Sequence, residues 1–195
     1  MRKSILYILC LFILSFIYSV TINIPGNYPT IQEGIDVATS GDTIFVSTGT
    51  YSPETGEVFP INMVSNVNIV GENEETTILD AMMWIVDNMN YQVGRVITME
   101  DCNNNTISDI TITGGLNYAV ADGYESGSDG NAGGMFLSFS NPTITNVTII
   151  DNHADIGGGI LMYDSNPTFT DVIISNNTCK WTGPPVPSPT PPGKT

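Results

Sequence analysis

Basic residues are nearly missing from this chain. Its 195 residues include five Lys and Arg against twenty Asp and Glu, one histidine, and a formal charge of −15. A surface that acidic repels phosphate backbones and anionic headgroups, which excludes nucleic acid as a direct partner. Cysteine is scarce as well, with three in all. Cys10 lies in a segment expected to be removed, so Cys102 and Cys179 remain, and two thiols do not make a disulfide scaffold even where export permits a bond. The Leu, Ala, Glu and Lys runs of helical repeats are absent. Beyond residue 19 no apolar run is long enough to span a bilayer.

What is present begins with a leader. Residues 1–19 have a basic start at Arg2 and Lys3, an apolar run from Ile5 to Tyr18 and a small residue at Ser19, the pattern of a secretory signal peptide. Its removal takes the charge from −15 to −17 and leaves Arg95, Lys180 and Lys194 as the only Lys and Arg. The expected mature protein is therefore exported, secreted or held at the cell surface.

The chain then repeats itself. "GGMFLSFSNPTITNVTIIDN" from Gly133 returns as "GGILMYDSNPTFTDVIISNN" from Gly158, and 10 of 25 positions in that window are identical. Aliphatic residues alternate with Thr and Asn at strand-like spacing, so each repeat reads as one supersecondary unit that buries its apolar side only by stacking on its neighbours. Allowing for loops, "VSNVNIV" from Val64 and "ISDITIT" from Ile107 align with "ITNVTII" from Ile144 and "FTDVIIS" from Phe169. The columns are Val64, Ile107, Ile144 and Phe169; then Val67, Ile110, Val147 and Val172; then Ile69, Ile112, Ile149 and Ile174. A polar column of Asn66, Asp109, Asn146 and Asp171 marks a corner that tolerates left-handed backbone, and Asn152 with Asn177 marks a second corner of stacked amides. The glycine pairs open the next strand by positive φ or close backbone approach. The expected fold is all-β, a parallel β-helix of roughly five to six coils, with like positions about 4.8 Å apart along its axis. In this register Cys102 stands opposite Phe139 and Cys179 opposite Ala154, two coils apart, and the cysteines stay unpaired.

"YPTIQEGIDVATSGDTIFVSTGTY" from Tyr28 and "VNIVGENEETTILDA" from Val67 resemble the opening of secreted right-handed parallel β-helix proteins of the pectin-lyase-like superfamily. The "GGMF" and "GGIL" tetrads with "IIDN" and "ISNN" are similar to the repeats of polymorphic outer-membrane proteins, with Ile149 and Ile174 where that motif has Phe. The resemblance covers roughly Ile24 to Asn177. It implies the fold, and it spans lyases, glycosidases, esterases, adhesins and proteins without known activity.

The domain organisation follows. Residues 20–182 form the β-helix, with a capping helix near 30–39 announced by the T-x-x-E pair Thr30 and Glu33 and carrying Ile31, Ile35 and Ala38 or Val37 on its apolar face. Residues 117–131 are a loop insertion, because the Thr106 to Thr143 spacing is 37 residues where the next repeat has 25. Residues 183–195, "GPPVPSPTPPGKT", read as a proline-rich linker or a truncated tail, with a missing C-terminal domain as a possible partner of the helix.

Candidates for chemistry are few. His153 between Asp151 and Asp155 has the residue types of an acid–base or metal group, with a polar turn as the plainer reading. Arg95 is the other catalytic candidate, by the resemblance a lyase base. In the insertion, Asp122, Glu125, Asp129 and Asn131 are candidate Ca²⁺ ligands, since hard cations take oxygen donors, though their order matches no EF-hand; no other cofactor is indicated. Tyr118, Tyr124, Phe136 and Tyr163 are candidate glycan contacts. The leading expectation is a non-catalytic structural or adhesive protein contacting extracellular polysaccharide or matrix. The alternatives are a calcium-dependent polysaccharide lyase of the pectate-lyase type, or a glycoside hydrolase, and a fragment of a larger surface protein.

Overall fold

The computed structural model describes residues 19–82, 94–117 and 131–179. They form a right-handed parallel β-helix with three sheets. The first runs Thr21–Ile24, Thr43–Val46, Asn68–Gly71, Thr106–Thr113, Thr143–Ile150 and Thr168–Ser175, with Gly49–Tyr51 and Thr77–Asp80 joined to its later half. The second stacks Ile61–Asn62, Ile97–Glu100, Met135–Ser138 and Ile160–Tyr163; the third stacks Leu116–Asn117, His153–Ala154 and Thr178–Cys179. The first sheet thus has six rungs, as the repeat spacing implies. Residues 1–18, most of the insertion and residues 180–195 lie outside the described residues, in which no helix is long and apolar enough to cross a membrane.

The interior is a set of aliphatic ladders. Ile22, Ile44, Ile69, Ile107, Ile144 and Phe169 follow one another in register. A second ladder runs Tyr51, Leu79, Ile112, Ile149 and Ile174. Each buried Ile contributes about 1.5–3 kcal/mol by the apolar area it removes from water. The two ladders correct the upstream alignment. Ile69, not Val64, stacks on Ile107, and Leu79, not Ile69, stacks on Ile112. An early coil splits its long strand into two pieces around the 72–76 turn, and an ungapped alignment cannot see that break.

The corners follow the polar columns. Asp109, Asn146 and Asp171 all have left-handed backbone, φ 59, 52 and 52°, and the Asn146 Nδ2 donates to Asp109 Oδ1 at 2.8 Å. Asn66 is left-handed too, but it belongs to another corner, where Asn104 Nδ2 donates to its Oδ1 at 3.0 Å. Asn152 and Asn177 form the expected amide ladder. Asn152 Nδ2 donates to Asn177 Oδ1 and to the Ile112 and Ile150 carbonyls, and the Gly115 N–H donates to Asn152 Oδ1 at 2.9 Å. Close approach explains the glycine pairs, since a Cβ on Gly134 would collide with the Gly159 carbonyl and one on Gly133 with the Gly158 carbonyl.

The N-terminal end is covered by the helix Ile31–Val37, with Thr30 Oγ1 accepting from the Glu33 N–H at 3.2 Å. Ile31 and Ile35 are buried and Ala38 packs against the core, while Val37 is exposed. Gly34 lies directly on the first coil, where a Cβ would crowd the Ile24 side chain. The sequence did not announce Glu57, whose buried carboxylate accepts from the Ile31 and Gln32 N–H groups at 2.7 and 3.2 Å. Burial pushes its pKa above the usual range, against the lowering effect of those backbone bonds. Asp42 ties the following turn, accepting from the Thr39 N–H, the Val20 N–H and the Thr39 hydroxyl, and these bonds hold its carboxyl below the ordinary value.

Both cysteines are free. Cys179 pairs in register with Ala154 as expected. Cys102 sits one position from its expected partner, because its N–H donates to Ser140 Oγ at 2.9 Å and Asp101 takes the corner opposite Phe139. Burial pushes the Cys102 thiol pKa up.

Candidate functional site on the outer face of the second sheet

Alternation along a strand puts every second residue outside. In the second sheet Ile97, Met99, Met135 and Leu137 are buried in the core, so the outward rows are Asn62, Thr98, Phe136 and Leu161, then Glu100, Ser138 and Tyr163. Phe136 faces outward, yet it is only 8% exposed. The reason is Arg95, just before the strand Ile97–Glu100. Its guanidinium carbon stands 4.4 Å from the Phe136 ring centroid, a cation–π contact. Tyr163, one coil on, meets the same ring edge to face at 5.9 Å and 67°, and remains 46% exposed. Thr98 Oγ1, in register with Phe136, is buried without a hydrogen-bond partner. A cation, two rings and an unmet hydroxyl thus share one face.

The other candidates are spread around the coil. His153 is on the third sheet, half-exposed and in register with Leu116 and Thr178. Asp151 occupies a left-handed corner at φ 54°, and Asp155 is buried. Arg95 precedes the second-sheet strand Ile97–Glu100, whereas Asp151 and Asp155 flank the third-sheet strand His153–Ala154, so the four catalytic candidates do not share one sheet face. Asp122, Glu125, Asp129, Tyr118 and Tyr124 lie outside the described residues. Asn131 bridges to Ile156, and its carbonyl accepts from Asn117 Nδ2 at 2.5 Å. Among the described residues no three His, Cys, Asp or Glu side chains gather where they could hold a metal.

Sequence reasoning set Phe136 and Tyr163 side by side on the outer face, as they are, and missed Arg95 as the third member of the group. Arg95 and Phe136 are 41 positions apart with the insertion between them, so no local spacing reports the contact. Only the register Phe136 to Thr98 does.

Against known proteins, a family model described as "Protein of unknown function (DUF1565)" matches residues 23–183. No curated protein matches the chain. Among solved structures, a mutant pectin methylesterase in complex with a hexasaccharide superposes with a TM-score of 0.52 at 16% identity, over 81% of this chain and 49% of that one. The pectin methylesterase PemA from Erwinia chrysanthemi gives 0.52 at 14% identity with the same coverage. At that identity the likeness establishes the fold alone, and the chain spans about half the length of these enzymes, 49%.

Proposed function

The chain belongs to the DUF1565 family, and we propose that it is an exported, non-catalytic β-helix protein that contacts extracellular polysaccharide through the outer face of its second sheet. The observation that supports this reading is the Arg95, Phe136 and Tyr163 stack. An exposed tyrosine offers a flat apolar face with a polar tip, suited to the C–H face and hydroxyls of a sugar ring. Here the ring is held rigid by Phe136 beneath it, so little side-chain entropy is lost on contact. Arg95 places a positive charge beside this face, which favours an acidic saccharide over a neutral one.

The experiment is calorimetric titration of the mature chain with neutral and uronate-bearing oligosaccharides, for the wild type and Tyr163→Ala. Saturable binding that the substitution weakens tenfold or more supports the proposal, and no heat from either class of sugar overturns it.

A second reading, a calcium-dependent lyase or hydrolase of acidic polysaccharide, draws on the likeness in fold to pectin methylesterases. It needs Arg95 to leave Phe136 and act near a scissile bond. Incubation with polyuronate and calcium separates the two readings, because elimination creates an unsaturated product with ultraviolet absorbance and hydrolysis creates new reducing ends without it. The appearance of either, lost in Arg95→Lys, would replace the non-catalytic reading.

A further inference from the structure

At the end of the second sheet three successive coils turn through the same corner. Ser138 is in register with Glu100 one coil before and with Tyr163 one coil after, so the residues that follow, Asp101, Phe139 and Asp164, stack about 4.8 Å apart. All three have left-handed backbone, φ 52, 48 and 44°. Asp tolerates that conformation because its short polar side chain bonds locally, whereas a bulky apolar residue is strained there. Phe139 is also 56% exposed and takes no part in the core. A coil lies on each side of it, so the exposure comes from the corner itself and not from an end of the stack. Such strain persists where function keeps it; an exposed ring that strains its own corner serves neither the turn nor the core.

The neighbours of Phe139 supply a reason. Its N–H donates to the Tyr163 carbonyl at 3.0 Å, which joins it directly to the tyrosine of the second-sheet face. Tyr163 is itself 46% exposed. Two aromatic rings thus stand exposed on adjoining coils, and the residues next to them in register, Glu100, Asp101 and Asp164, are exposed as well.

We propose that Phe139 is a further binding residue of this face, a second ring platform that takes an uncharged, hydroxyl-bearing sugar unit; this rests on the polysaccharide reading given above. The ring offers an apolar surface to the C–H face of a sugar, and the carboxylates accept from its hydroxyls in charge-assisted hydrogen bonds. A uronate over Phe139 would instead meet three like charges. Arg95 stands before the strand Ile97–Glu100 and these carboxylates lie at the far end of the same sheet. The charge preference therefore reverses along the face, with acidic units favoured at one end and uncharged units at the other.

The experiment is calorimetric titration of the mature chain with neutral hexasaccharides of glucose, mannose and galactose and with a galacturonate hexasaccharide, beside thermal melts without sugar. Phe139→Asn gives the corner a residue suited to left-handed backbone, so its melting temperature should rise by about 2 °C. Its affinity for the sugar that wild type binds should fall about tenfold. Phe139→Tyr, which keeps the ring, should bind within about threefold of wild type. Asp101→Asn with Asp164→Asn preserves the corner and should weaken the neutral sugars while strengthening the galacturonate. Full affinity in Phe139→Asn overturns the proposal and leaves the polysaccharide reading standing. A fall in that variant's melting temperature overturns it too, since the ring would then be packing on the coil. An unchanged ratio of neutral to galacturonate affinity in the Asp pair overturns the uncharged unit. If wild type binds no sugar of the set, the proposal and the reading it rests on fall together.

Discussion

The guanidinium carbon of Arg95 lies 4.4 Å from the centroid of the Phe136 ring, although the two are 41 positions apart in the chain. Arg95 is the only Lys or Arg among the described residues, and its guanidinium covers an aromatic ring. Phe136 in turn supports Tyr163, so an outward phenylalanine becomes the floor of a site whose exposed surface is the tyrosine.

A double-mutant cycle with Arg95→Met and Phe136→Leu should therefore show a coupling of about 0.5–1 kcal/mol, the size of a cation–π contact at a partly exposed site. Denaturant unfolding of the four proteins measures it. Strict additivity would mean that the two side chains do not hold each other in solution.

The buried amide ladder predicts an order of severity. Asn152→Ala removes one acceptor and three donations at once and leaves the buried Gly115 N–H and Ile112 carbonyl unmet. A loss of about 3 kcal/mol is expected from the cost of stranded buried polar groups. Asn177→Ala, half-buried in the last described coil, should cost about 1 kcal/mol. The reverse order in urea melts would place the critical corner elsewhere.

Inside and outside can be checked within one strand. Ile149 is buried in the core, whereas its neighbour Thr148 faces outward. Ile149→Asp should cost several kcal/mol or prevent folding, because an unpaired carboxylate would enter an apolar stack; Thr148→Asp should stay within about 0.5 kcal/mol. Thermal melts of the two variants decide it.

Asp42 gives a pH dependence of definite sign. The bonds from Thr39 and Val20 lower its folded pKa below the ordinary 3.8, so its contribution is present above that value and is lost as pH falls through the folded pKa. Asp42→Asn should lower the melting temperature near neutrality and flatten the acid limb below pH 3.8. An acid limb as steep in the variant as in the wild type would assign the effect to other carboxylates.

Calcium should change little if the insertion is inert. A site filled at a hundredfold excess over Kd would add about 2.7 kcal/mol. Thermal melts of wild type and the Asp122→Asn, Asp129→Asn pair in millimolar calcium and in chelator test this. A gain that vanishes in the pair would make the insertion a calcium site and favour the lyase reading.

The 25-residue echo from Gly133 to Gly158 by itself determined the parallel stack, the inward Ile and Val positions of the last coils, the asparagine corner and the register of Cys179, because in a solenoid each residue contacts its own counterpart one period away. Thr30 and Glu33 likewise announced the capping helix, since a helix N-terminus is fixed by neighbours three residues apart. The tertiary structure alone decided the rest. The 72–76 turn shifted the upstream columns so that Leu79 covers Ile112. Glu57 reached back 26 positions to the Ile31 N–H, and Arg95 met Phe136 across the insertion. Where coils differ in length, contact depends on how the chain distributes its extra residues between corners, and that is settled by packing and hydrogen bonding among distant segments that no local pattern records.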